Sequence, residues 1–397
     1  MAAILFPRRS DPAASQTDPI APLKARTNPY VDMCRLRRRR LRIKRAGQPL
    51  ASTCFHLMSR TCGGTVFFDE TEKEGLVLVL RRLATFCGIK LITYCVMGNH
   101  FHALVRVPDR DEWLKRFEGP AGEQKLLEHL RTLYSKGFVE IFCLELERLR
   151  NAGREEEAKG YVEAMKARFC DISVFCKEVK SRFCKWYNKR YQRRGTLWME
   201  RFKSVLVEGK RGDSGEQRAK SQLDALKVMA AYIDLNPVRA KMVKKASEYR
   251  WSGWGAALDG NKEAIAGLCD VADTPVSQWE SEGRRVYGKW LSVEENWEEL
   301  MRERESALPT VDAEEVGSFL MRTVRAFTRG MAVGSAAFVE AIFQSHRPHF
   351  GPRRETGGRL LDGDTRRVAE GLRTLRDLRR AKDGPASRPP NQLFQTG

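Results

Sequence analysis

The sequence predicts an α+β fold: a ferredoxin-like antiparallel sheet with packed helices, a helical insertion and a mostly helical C-terminal extension. Two observations carry this. The stretch from 54 to 107 reads strand, helix, strand, strand, the opening order of such a sandwich. Within it NHFHALVRV alternates, so His100, His102 and Leu104 share one face of a strand while Phe101, Ala103 and Val105 share the other.

Each element has a local reason. CFHLMSR (54–60) is strand-like, and TCGG turns the chain into TVFF (65–68). DETEKEGLVLVLRRLATFC is helical, with Thr71 and acidic neighbours at its start and Gly88 just past its end. IKLITYCVM (89–97) is the next strand. Residues 109–170 hold thirteen acids and twelve bases in helical periodicity, a near-neutral insertion. In 171–194, Phe175, Val179, Phe183 and Trp186 keep helical spacing and point to a core stripe. GTLWMERFKSVLVEG reads as a strand, and 218–235 as a helix stopped at NPVRA, because residues before proline leave the helical region. These elements divide the chain into a basic N-terminal arm (1–50), a central domain (51–259), a helical extension (260–350) and a basic tail (351–397) ending in SRPPNQLFQTG, which should lack fixed structure.

Composition narrows the partner. The chain has 71 basic and 51 acidic residues among 397, a net charge of +20, which favours a polyanion. Twelve bases against three acids crowd residues 1–50, a phosphate-contacting arm or a solvated tail. Residues 171–207 hold ten bases, three acids and seven aromatics. Charge interleaved with rings suits single-stranded nucleic acid, with a solvated face as the alternative. Lys180, Lys185, Lys189, Arg190, Arg193 and Arg194 are the expected DNA contacts there, joined by Arg201, Lys203 and Arg239. No run of about eighteen apolar residues occurs, so no membrane partner is expected. The short apolar stretch at the N-terminus does not fit a secretory signal, and the cytoplasm is the expected location. Ten cysteines form no CxxC pair and read as buried thiols.

Two imidazoles on one strand face form a candidate metal pair. Tyr232 and Asn236 stand four apart in LKVMAAYIDLNPVRA and share a helix side if helical geometry persists that far. Together they make a plausible site. His100 and His102 hold a divalent cation, the Asn236 amide oxygen is a third ligand, and the Tyr232 phenol attacks phosphorus. A phenol with a pKa near 10 needs metal or a base to help it. Singly each signal is weak.

NHFHALVRV, GTLWMERFKS and AAYIDLNPVRAKMV, in that order, with SEYRWSGWGAALDG following, resemble the REP-associated tyrosine transposases, relatives of the single-tyrosine HUH-class insertion-sequence transposases. The resemblance covers about 54–259 outside the insertion. It implies a ferredoxin-like core, metal-binding His100 and His102, nucleophilic Tyr232, and Asn236 completing the metal shell. It also implies cleavage of hairpin-bearing single-stranded DNA to a 5′-phosphotyrosine and a free 3′-hydroxyl. Gly98 stands where the family usually has proline, and Met199 where it commonly has a polar residue. The cofactor would be manganese, which imidazole suits, or magnesium. The alternatives are a domesticated nucleic-acid-binding protein that no longer cuts, and a metallohydrolase using water. No small-molecule substrate is expected, and a monomer or a homodimer both fit.

Overall fold

In a computed structural model, the residues described are 53–209, 224–291, 327–328, 330–347, 350, 352–361 and 372–375. The N-terminal arm, the loop at 210–217, the first part of the helix expected from 218, and the SRPPNQLFQTG terminus lie outside them.

Strand β1 (Thr53–Arg60) leads through a 3-10 turn to helix α1 (Glu70–Cys87). The Glu72 carboxylate accepts from the Asp69 backbone N–H at 3.1 Å, which satisfies a donor at the helix start. Gly88 ends the helix with φ +64°, and a Cβ there would lie 2.3 Å from the Trp113 indole. Only glycine meets both conditions. Strands β2 (Lys90–Val96) and β3 (His100–Val107) follow.

The insertion is helical as expected, with α2 (Arg110–Leu114), α3 (Gly122–Leu130), α4 (Lys136–Asn151) and α5 (Glu155–Lys166). Its surface charges meet one another, as in Arg148–Glu145, Arg150–Glu123 and Arg154–Glu157. Trp113, Phe117, His129 and Phe169 anchor it against Phe86 of α1. Helix α6 (Ile172–Arg190) buries Phe175, Val179 and Phe183, with Trp186 partly buried beside them.

The expected strand over GTLWMERFKSVLVEG is shorter, because β4 covers only Lys203–Val207. Residues 195–202 run irregularly instead, since Leu197 O and Met199 N bond to Cys62 N and Arg60 O at the end of β1. Helix α7 (Ala225–Asp234) is buried throughout, and a short α8 (Asn236–Arg239) restarts with Pro237 in its first turn. Helices α9 (Gly253–Leu258), α10 (Lys262–Ala272) and α11 (Arg284–Leu291) complete the middle of the chain.

Among the described residues, the region expected as a helical extension also contributes a strand, and the tail contributes two. Beyond 327 the chain adds β5 (Ala332–Ser335), α12 (Ala336–Ser345), β6 (Gly358–Leu360) and β7 (Leu372–Leu375). These strands have three or four residues, too few to show a period, and they exist by pairing with distant partners.

The result is an α+β protein with a seven-stranded mixed sheet in the order β2-β3-β1-β4-β5-β7-β6. β1 is antiparallel to β3 and β4, β2 to β3, and β7 to β5 and β6, whereas β5 lies parallel to β4. Helices α1 and α6 pack together on the sheet face that carries Phe101, where Phe68 meets Phe183 and Trp198 edge to face and Trp198 meets Phe101 likewise. Helix α7 covers the opposite, histidine-bearing face, and α10 packs on β2.

Among the described residues no disulfide forms. Cys54, Cys87, Cys95, Cys170, Cys176 and Cys269 are buried thiols, as expected, while Cys62, Cys143 and Cys184 are half-buried. Among the described residues no helix is long and apolar enough to cross a membrane.

Candidate active site

The register of β1 against β3 builds the site floor. His56 stands opposite Leu104, Met58 opposite His102 and Arg60 opposite His100. Cross-strand partners share a face, so all six side chains project the same way, and His56 reaches diagonally to His102. Their rings stack with centroids 5.1 Å apart, and His56 Nε2 lies 2.8 Å from His102 Nδ1. His100 and His102 meet edge to face at 5.0 Å. His56 Nδ1 lies 3.0 Å from the Phe327 carbonyl oxygen, and His100 Nδ1 lies 2.6 Å from Asn99 Oδ1.

Helix α7 forms the roof. The Tyr232 ring sits 6.1 Å from that of His102 and 6.0 Å from that of His56, both edge-on. The phenol and the paired imidazoles therefore occupy one compartment, although about 130 positions separate them in the chain. Tyr232 is 1% exposed: the Phe327 ring packs against it at 4.8 Å, and the Arg239 guanidinium lies 4.5 Å from its centroid. Asn236 is buried one turn on, its Nδ2 donating to the carbonyls of Tyr232 at 3.0 Å and Ile233 at 3.2 Å. Those bonds use the amide hydrogens and leave Oδ1 as the acceptor.

Burial sets the protonation. It lowers His56 and His100 from 6.5 to about 4, helped at His100 by the positive charges of Arg60 and Arg239. His102 is held well below its ordinary value by burial and by its histidine neighbours. All three rings are neutral at pH 7 and carry a lone pair.

Asp234 fixes the roof from behind. Its carboxylate accepts from Thr93 Oγ1 at 2.8 Å, from the Tyr287 hydroxyl at 2.6 Å and from Trp254 N at 3.2 Å, tying α7 to β2, α9 and α11. Burial raises its pKa from 3.8 to about 6.

The donor set fits a cation with open coordination positions. Two imidazoles sharing an ion through bonds of about 2.1 Å bring their centroids to about 5 Å, the separation of His100 and His102. Asn236 Oδ1 is the third donor available on the roof. Among the described residues no group of three or more His, Cys, Asp or Glu side chains is arranged to hold an ion. A site here thus depends on two nitrogens and a neutral oxygen. No family model and no curated protein matches this chain.

The expected DNA contacts divide. Lys185, Lys189, Arg194 and Arg201 are exposed. Others already have protein partners. Lys180 donates to the Glu200 carbonyl, and Arg193 Nη2 donates to Thr196 O at 3.2 Å. Arg190 pairs with Glu72 at 3.6 Å and Lys203 with Glu200 at 2.9 Å. Arg239 covers the Tyr232 ring and belongs to the site itself. Lys177, absent from the expected contacts, joins Lys180, Arg201, Trp198 and Phe202 around a groove of about 540 Å³ beside α6.

His56 is the site residue that sequence reasoning missed. Its signal was parity: a single imidazole in an apolar strand, on the face that antiparallel pairing gives to His100 and His102.

Proposed function

We propose that the protein nicks and rejoins hairpin-bearing single-stranded DNA as a metal-dependent tyrosine transposase or endonuclease of the REP-associated type. The observation that carries this is the packing of Tyr232 on the His56–His102 pair, with His100 against His102 and Asn236 one turn beyond Tyr232. The strand order β4-β1-β3-β2, crossed by α1 and α6, supports the ferredoxin-like reading of the core.

His100, His102 and Asn236 would hold the divalent cation. When bound, manganese or magnesium supplies Lewis acidity to a phosphate oxygen. Tyr232 contributes the nucleophile: its oxygen bonds to phosphorus, its proton leaves to solvent, and the phosphorus–O3′ bond breaks to give a 3′-hydroxyl. The 5′-phosphotyrosine keeps the energy of the broken ester, so a 3′-hydroxyl can reverse the attack and join strands. Phe327 and Arg239 keep water off the phenol, and attack requires that cover to move aside. Lys185, Lys189, Arg194 and Arg201 hold the phosphate backbone, and the groove beside α6 offers the half-buried Phe202 ring for a base.

A second reading is a nucleic-acid-binding protein that no longer cuts, and the burial of Tyr232 favours it. One experiment separates the two. End-labelled single-stranded hairpin DNA is incubated with protein and manganese and run on a denaturing gel. Cleavage with a covalent adduct that Tyr232→Phe abolishes supports the transposase. Retained binding without cleavage supports the second reading, and cleavage without an adduct points to a water nucleophile.

A further inference from the structure

Three histidines meet under α7, and one of them faces no open position. His56 has both ring nitrogens engaged inside the protein, Nδ1 on the Phe327 carbonyl and Nε2 on His102. A carbonyl only accepts, so Nδ1 of the neutral His56 ring bears the hydrogen. Its Nε2 is then a lone pair and accepts, which requires the hydrogen of His102 to sit on Nδ1. The lone pair of His102 is left at Nε2.

His100 reaches the same tautomer by a different route. Asn99 Nδ2 donates to Gly64 O at 2.6 Å, which turns Asn99 Oδ1 toward His100 Nδ1. An amide oxygen only accepts, so Nδ1 carries the hydrogen there too and Nε2 keeps the lone pair. Two unrelated anchors thus prepare both imidazoles alike.

We propose that His56, oriented by the main-chain carbonyl of Phe327, is a positioning residue that locks His102 in its Nδ1–H tautomer and so presents Nε2 to a divalent cation. The inference rests on the metal-binding reading above. It makes the Phe327 segment part of the site, although 271 positions separate that residue from His56. Phe327 also lays its ring on Tyr232, so one residue orients the supporting imidazole through its main chain and covers the phenol with its side chain.

The test uses the full chain with ¹⁵N-labelled histidine. In the metal-free wild type, two-bond ¹⁵N–¹H spectra are expected to show His102 protonated at Nδ1 and bare at Nε2. Manganese titration by electron paramagnetic resonance then compares variants. His56→Leu removes the acceptor and is expected to weaken manganese binding about 10- to 100-fold, the usual effect of losing an outer partner of a ligating histidine. His56→Gln returns an acceptor and is expected to recover most of that loss. A purely structural role would lower the melting temperature of both variants and leave tautomer and affinity unlinked.

His102 protonated at Nε2, or His56→Leu binding manganese as tightly as wild type, overturns the proposal. A wild type with the expected tautomer that binds no manganese overturns the metal reading, and the proposal with it. If His56→Leu does not fold, the wild-type tautomer and the His56→Gln titration still decide.

Discussion

Lowering the pH from 7 to 5 should destabilise the protein through its buried imidazoles. His56 titrates at 6.5 in the unfolded chain and at about 4 in the folded one. Between those values the unfolded chain binds a proton that the folded chain refuses. The stability contributed by the neutral ring is complete above 6.5 and is lost as pH falls toward 4. At about 1.4 kcal/mol per unit, His56 costs about 2 kcal/mol by pH 5. His100, with the same folded value, costs a similar amount, and His102 acts in the same direction. Asp234 opposes them. Its folded pKa of about 6 exceeds the ordinary 3.8, so the folded chain takes up the proton first and gains about 1 kcal/mol by pH 5. The sum is a loss of about 2–4 kcal/mol, measurable by urea unfolding followed by tryptophan fluorescence at both pH values. His56→Gln should flatten the dependence by about 2 kcal/mol, and Asp234→Asn should steepen it by about 1 kcal/mol. Stability that is level or rising toward pH 5, or an unchanged slope in His56→Gln, would refute the assignment of these rings as buried and neutral.

Other expectations are direct. Tyr232→Phe should abolish the covalent DNA adduct while leaving the circular dichroism spectrum intact, since the ring packing is retained. Gly267→Ala places a Cβ 2.1 Å from Ile92 O of β2, so α10 must move off the sheet, and thermal melts should register a loss of at least about 3 kcal/mol. Asp273 pairs with the buried Lys227 ammonium at 3.0 Å, and Asp273→Asn, which keeps the left-handed backbone, should cost about 1–3 kcal/mol in urea unfolding. Lys185→Ala with Lys189→Ala should weaken single-stranded DNA binding and reduce its salt slope by about 1–2. Lys180→Ala and Arg193→Ala, which remove internal bonds, should instead lower stability.

How much of this was legible follows from where each signal resides. The helix from Glu70 and its stop at Gly88 are announced within a few residues, and the alternation in HFHALV assigns faces without knowledge of neighbours. Tyr232 and Asn236 kept their shared side because Pro237 falls in the first turn of α8, where its missing N–H costs nothing. His56 was obscure because its importance depends on strand register, and a slip of one residue would turn it to the other face. The strands at 332–335 and 372–375 have too few residues to carry a pattern. Charge was countable, but its availability was not: the carbonyl that takes up Lys180 lies twenty residues away in an irregular segment.

The parallel seam between β4 and β5 bears on how the molecule can be cut. Shortening the chain after Leu291, an attractive choice because the motif-bearing region ends before it, would strip β4 of its neighbour and expose a bare row of peptide groups to self-association. The same scissor would uncover the phenol and unmoor the imidazole beneath it. A trimmed fragment that behaves differently from its parent would be reporting on a different set of contacts around Tyr232 and His56, not on a tidier version of the same one.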